Sequence, residues 1–144
     1  MTKADITHAL VDARLADELE SALPQCPTLT HLRLFNGAAG SGLEAAAAAK
    51  PAHFDNVDTA GDDTCIIAFT SGTTGQPKAA IHFHRDVMAA CACWPRHVLR
   101  AVPSDVFIGS PPLAFTFGLG GLLLFPMSIG AACALVEKAN PEAL

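Results

Sequence analysis

Apolar residues recur every four positions at Val11, Leu15, Leu19 and Leu23, with Asp12, Asp17, Glu18 and Glu20 on other faces. That spacing predicts an amphipathic helix over residues 6–23, ended by Pro24 and Pro27. Leu29–Phe35 reads as a short strand closed by Asn36-Gly37, and Ala38–Gly42 as a small-residue loop. Leu43–Lys50, with five consecutive alanines, predicts a short helix stopped by Pro51. Ala52–Asp63 is polar and irregular. The apolar run Cys65–Phe69 and the segment Ala79–Phe83 predict two strands around a polar loop. Asp86 is expected to cap a helix reaching about residue 101, with Val87, Cys91, Trp94 and Val98 as its buried stripe and Pro95 kinking it. Beyond it, Val106–Gly109 predicts a strand, Pro111-Pro112 a turn, Gly118–Met127 an almost wholly apolar helix and Ala131–Val136 another strand. Helix and strand alternate after residue 84. The expected class is therefore α/β: a partial, mixed layered sheet with parallel strands and one strand–loop–strand hairpin, flanked by helices.

Composition narrows the function classes. The 144 residues are 51% hydrophobic and 16% charged, enough for one domain with a core. A net charge of −5 argues against nucleic acid as a partner. The long uncharged stretch Val106–Ala134 is broken by Pro111, Pro112, Pro126 and several glycines, which argues against a membrane span. Cys26, Cys65, Cys91, Cys93 and Cys133 are odd in number and scattered, so a reducing, cytoplasmic setting is expected rather than a disulfide framework.

The chemistry concentrates in Thr70-Ser71-Gly72-Thr73-Thr74-Gly75-Gln76-Pro77-Lys78. Its glycines let backbone N–H groups approach an anion, its four hydroxyls add donors, and Lys78 adds a mobile positive charge. Taken alone, a Gly/Thr-rich hairpin turn with a solvated lysine is the plain alternative. A Walker A loop does not fit, because Pro77 precedes the lysine and a strand rather than a helix follows.

In its strand–loop–strand setting this string resembles the phosphate loop of the AMP-forming acyl/aryl-CoA synthetases, the adenylate-forming superfamily. Two further segments carry the resemblance: Ile81-His82-Phe83-His84-Arg85-Asp86 and Ser110-Pro111-Pro112-Leu113-Ala114-Phe115-Thr116-Phe117-Gly118-Leu119-Gly120-Gly121. The combination is most similar to the benzoate and 2-aminobenzoate CoA ligases, strongly from residue 64 onward. The resemblance implies one partial AMP-binding domain over 1–144, with 1–63 as peripheral helices and loops and 64–144 as phosphate loop and α/β core. It implies that Thr70, Ser71, Gly72, Thr73, Thr74, Gly75 and Lys78 hold the β- and γ-phosphates of ATP. It also implies that His84, Ala114, Phe115 and Gly118 lie near an aromatic or acyl carboxylate, with magnesium as cofactor and coenzyme A as co-substrate.

Departures from the family pattern bear on these expectations. Ala79 replaces the usual glycine, and Phe115 stands where many acyl-CoA ligases place a histidine, which suits a flat aryl acid. The family's adenine-binding segment, magnesium-holding acid, ribose-binding aspartate and catalytic lysine are expected outside these 144 residues. No catalytic residue and no metal ligand is therefore assigned within them. Two readings follow: part of an aryl/acyl-CoA ligase that is inactive alone, or a non-catalytic oligomerising or scaffold remnant of one. The apolar segment Leu113–Met127 further predicts a homo-oligomer.

Smaller constellations read as ordinary structure. His82 and His84 are expected on one strand face, as packing or site lining rather than a metal pair. Cys91 and Cys93 diverge on a helix, Asp62-Asp63 belongs to a solvated loop, Trp94 to the core and Arg85 to the solvated surface, with pairing to a carboxylate or phosphate as its alternative.

Overall fold

The computed structural model describes residues 2–38, 42–70, 77–136 and 140. The chain divides into two compact units, Met1–Val57 and Asp58–Leu144.

In the first unit, β1 (His8–Asp12) pairs in parallel with β2 (His31–Phe35), in a register running from His8↔His31 to Asp12↔Phe35. Between them lie a 3-10 turn (Ala13–Leu15), α1 (Ala16–Ala22) and a second 3-10 turn (Leu23–Gln25). A short helix, α2 (Gly42–Ala48), follows β2. The expected helix over 6–23 is thus a strand in its first half. Val11 belongs to the ladder opposite Leu34, and Leu15 is 62% exposed, so the four-residue stripe breaks there. Asp12 makes the break. Its carboxylate accepts from the Arg14 backbone N–H at 2.9 Å, which ends the strand and starts the turn.

Asp12 also anchors a local polar network. Arg14 Nε and Nη2 donate to it at 3.0 and 2.8 Å, and Asn36 Nδ2 at 2.9 Å. The Asn36 backbone N–H in turn donates to Glu44 Oε1 at 2.7 Å. The Arg14 side chain, then Asn36, hold the Asp12 carboxyl far below the ordinary carboxylate range. The Asn36 N–H lowers Glu44 likewise.

In the second unit, β3 (Thr64–Thr70) and β4 (Lys78–Phe83) form an antiparallel hairpin. α3 (His84–Cys93) starts immediately after β4. Its N-cap is Phe83, three residues before the expected one, and Asp86 caps it from inside the first turn: its carboxylate accepts from the Phe83 N–H at 2.9 Å. α3 runs into a π turn (Trp94–Val98), where the Leu99 N–H bonds the Trp94 carbonyl at 3.1 Å. Pro95 lacks an N–H and its ring crowds the preceding turn, so the helix widens around it instead of merely bending. Pro95 itself is fully buried, whereas Val98, expected in the buried stripe, is 69% exposed. Trp94 is 37% exposed and stacks on Phe125 at 6.5 Å.

β5 (Val106–Ile108) and β6 (Ala132–Ala134) pair in parallel, as the helix–strand alternation predicted. A helical run joins them: α4 (Thr116–Leu119), a π turn (Gly120–Leu124) and α5 (Phe125–Ile129). Its π turn ends two residues before Pro126. Gly130 closes the run in the left-handed conformation with φ 77°, where a side chain would be strained. Each of the three sheets has two strands among the described residues. Cys91, Pro95, Leu122 and Pro126 are buried in the second unit's core, with Leu113, Phe115, Phe117, Leu123 and Met127 exposed.

Candidate functional site

The hairpin places the two described ends of the phosphate-type string. Thr70 and Lys78 are directly opposite each other in the β3–β4 register, and Phe69 faces Ala79. The string therefore bridges the open end of a two-stranded ladder, with both terminal residues solvent-exposed. Ser71, Gly72, Thr73, Thr74 and Gly75 lie outside the described residues. The hairpin forms because Ile66 and Ala68 alternate inward while the register closes on a loop rich in glycine and hydroxyls.

The chain then turns at the base of β4. His82 is opposite Ile66 on the hairpin, but His84 is the first residue of α3, so the two histidines do not share a strand face as expected. The His84 backbone N–H donates to the Asp63 carbonyl at 3.2 Å and the Arg85 N–H to the Gly61 carbonyl at 2.9 Å, binding the polar segment before β3 to the start of α3. Arg85 is exposed, as expected, and paired. Its guanidinium pairs with Asp62 and lies 4.8 Å from the centre of the Phe83 ring. Asp63 folds back on the Ala60 N–H at 2.8 Å. No sequence pattern signalled the Arg85–Asp62 pair, because its partners are 23 positions apart.

The third segment begins at Pro111-Pro112. The Phe115 N–H bonds the Pro112 carbonyl at 3.1 Å, and the Leu119 N–H bonds Phe115 at 2.8 Å, which launches α4 two residues before the predicted start. Gly118 lies against this turn. A Cβ there would stand 2.1 Å from the Pro112 carbonyl oxygen and 2.8 Å from that of Pro111. Its glycine identity is therefore required by close backbone approach. Phe115 projects with 64% exposure.

Two cavities border these segments. One of about 340 Å³ joins the hairpin, α3 and the helical run through Ile66, His82, Asp86, Thr116, Leu119 and Gly120. His82 Nδ1 stands 4.0 Å from Asp86 Oδ2 at its polar edge. The other, about 410 Å³, is walled by Trp94, Phe107, Phe117 and Phe125 beside Ser110 and Pro111. His84, Ala114, Phe115 and Gly118 line neither, whereas His82, Thr116 and Phe117 do. Helical spacing from the Pro-Pro turn could have singled out Thr116. The aromatic walls from Trp94, Phe107 and Phe125 had no local signal. Among the described residues no group of three His, Cys, Asp or Glu side chains could hold a metal ion, and no helix is long and apolar enough to cross a membrane.

The AMP-binding enzyme family matches residues 1–144. The chain belongs to that family. As an AMP-binding family member it is 33% identical, over 154 aligned residues, to the benzoate–CoA ligase of Thauera aromatica, matching all of this chain and 29% of that enzyme. It is 32% identical over 78 residues to the anthranilate–CoA ligase of Pseudomonas aeruginosa, covering 54% of this chain and 15% of the enzyme. The crystal structure of the anthranilate CoA ligase AuaEII with anthranoyl-AMP superimposes with a TM-score of 0.84 at 29% identity, over 94% of this chain and 26% of that one. ATP-bound MatB from Rhodopseudomonas palustris gives 0.79 at 26% identity, over 99% and 28%. The AMP-binding fold expected from the sequence is thus present, as the corresponding part of the N-terminal domain of adenylate-forming enzymes. The chain spans under a third of the length of these relatives.

Proposed function

We propose that this chain supplies the polyphosphate-gripping loop and part of the acid-flanking wall of an ATP-dependent aryl/acyl-CoA ligase. The register that sets Thr70 opposite Lys78 carries the reading, because it brings a hydroxyl and an ammonium to the two feet of one loop. A loop so anchored, with the amides and hydroxyls of residues 71–75, suits the β- and γ-phosphates of ATP. The aromatic-walled cavity beside Ser110-Pro111 and the exposed Phe115 suit a flat carboxylic acid better than a polar acyl head. Such a ligase joins the acid to AMP with release of pyrophosphate, then transfers the acyl group to the coenzyme A thiol. In that reaction the residues here bind and position; none acts as acid, base or nucleophile. Lys78 offsets negative charge on the departing pyrophosphate. Among the described residues no group of three His, Cys, Asp or Glu side chains stands ready to hold the magnesium ion.

Phosphate contacts without adenine stacking leave weak binding, on the order of millimolar or about −4 kcal/mol. A phosphorus NMR titration with pyrophosphate and with ATP should show such binding, and Lys78→Ala should abolish it. Unchanged binding in Lys78→Ala sinks the loop assignment. Purified alone, the chain should release no pyrophosphate in an acid-dependent manner; robust thioester formation by it would refute the claim that it is inactive by itself. The exposed apolar side chains of Leu113–Met127 support self-association as a homo-oligomer. Sedimentation velocity at micromolar concentration tests this, with a monomer counting against it.

A further inference from the structure

The second unit carries a pair of side chains that the phosphate-loop reading does not use. A cavity of about 410 Å³ lies between the π turn after α3 and the end of α5, lined by Arg96, Arg100, Ala101, Pro103 and Ile129. Arg96 reaches toward α5, with Nη2 3.4 Å from the Ser128 carbonyl oxygen. Among the described residues neither arginine has a carboxylate partner. From Val87 to Val136 the sequence holds one acidic residue, Asp105, whose carboxylate accepts the Val102 N–H at 2.8 Å. A chain of net charge −5 thus gathers two positive charges at one cavity with no carboxylate in its lining. Arg100 stands in the left-handed region, φ 55°, just past the helix end, where glycine is the favoured residue. The Leu99 N–H bonds the Trp94 carbonyl at 3.1 Å and the Ala101 N–H the Pro95 carbonyl at 2.9 Å. These two carbonyls of the helix end already have donors, so the arginines are not needed to cap them.

We propose that Arg96 and Arg100 form a binding site for a phosphate dianion, free or carried as a monoester on a small organic body. A guanidinium presents its donors in a planar fork that matches phosphate oxygens, and two such groups at one cavity balance the charge of a dianion. Ala101, Pro103 and Ile129 offer no charge to repel it, and their apolar surfaces leave room for the body of an ester. An arginine held where the backbone favours glycine supplies a group that the helix end itself does not require. Both arginines are exposed, so the affinity is on the order of millimolar and falls as salt rises. The cavity shares no residue with the string from Thr70 to Lys78.

The test is a titration of the full chain with inorganic phosphate and, separately, with phenyl phosphate at pH 7.5 and constant ionic strength, read by carbon-detected NMR of the arginine guanidinium groups. The Arg96 and Arg100 signals should shift together to saturation, with one dissociation constant on the order of millimolar, while that of Arg33 stays in place. Tighter binding of phenyl phosphate assigns the site to an organic ester; binding no tighter assigns it to free phosphate. Arg96→Gln and Arg100→Gln should each weaken binding by about tenfold, the loss of one charge-assisted contact. Arg100→Gly separates the ligand from the fold: it should weaken binding by the same factor while raising the thermal midpoint, because glycine relieves the left-handed backbone. Lys78→Ala should leave the titration unchanged, which keeps this test apart from that of the loop. Absence of a shift at tens of millimolar phosphate, or binding untouched by Arg96→Gln or by Arg100→Gln, overturns the proposal.

Discussion

Gly118 offers the sharpest test of the packing that shapes the third segment. In Gly118→Ala the new methyl would lie 2.1 Å from the Pro112 carbonyl oxygen, 2.6 Å from its carbon and 2.8 Å from the Pro111 oxygen. All three are backbone atoms, so no rotamer change relieves the overlap. The Pro112 carbonyl also accepts the Phe115 N–H at 3.1 Å, and moving it sacrifices that bond. Overpacking costs about 1–3 kcal/mol, and a lost hydrogen bond about 0.5–1.5 kcal/mol. A loss of about 2–4 kcal/mol is expected, lowering the thermal midpoint by roughly 10 °C or more. Gly121→Ala is the matched control. It lies in the same helical run with nothing within 4 Å of the added methyl, so it should stabilise by about 0.5–1 kcal/mol through helix propensity. The assay is urea unfolding followed by Trp94, the single tryptophan, which stacks on Phe125 within this helical region. A Gly118→Ala variant as stable as the parent, or two variants with equal effects, refutes the reasoning.

The Asp12 network gives a pH signature of known sign. Its folded pKa lies below its unfolded value, so the stabilisation is complete above about pH 4–5 and declines as acid lowers the pH toward the folded pKa. Asp12→Asn should therefore destabilise the parallel pair at pH 7, with a penalty that shrinks below about pH 4 in acid-dependent urea midpoints; a penalty growing in acid contradicts the assignment. Asp86→Ala should cost about 1 kcal/mol by leaving the Phe83 N–H without its cap, read as a shift in the urea midpoint. Arg85→Ala should cost no more than about 1 kcal/mol, because both partners of the ion pair are more than half exposed, and its effect should fall at high salt.

The local chemistry of the chain was enough to locate the hairpin, the short helix after the alanine run, the β5 and β6 strands and the string from Thr70 to Lys78. Each depends on residue type within a few positions: β-branched and aromatic runs, a proline stop, a glycine that bends. The identity of Gly118 was visible too, but its reason was not, since the carbonyls it meets come from a turn whose conformation no spacing specifies. Residues 8–12 were misread as helix because Val11, Leu15, Leu19 and Leu23 satisfy a helical repeat. Pairing with a strand 23 positions later decided otherwise, and non-local ladder bonds override local propensity. The same non-local register brought His8 onto His31, and the start of α3 carried Arg85 to Asp62. Sequence alone thus determined which chemistry the chain carries and where it bends. The tertiary structure decided which of those groups meet, because such contacts depend on strand register and chain return rather than on neighbours along the backbone.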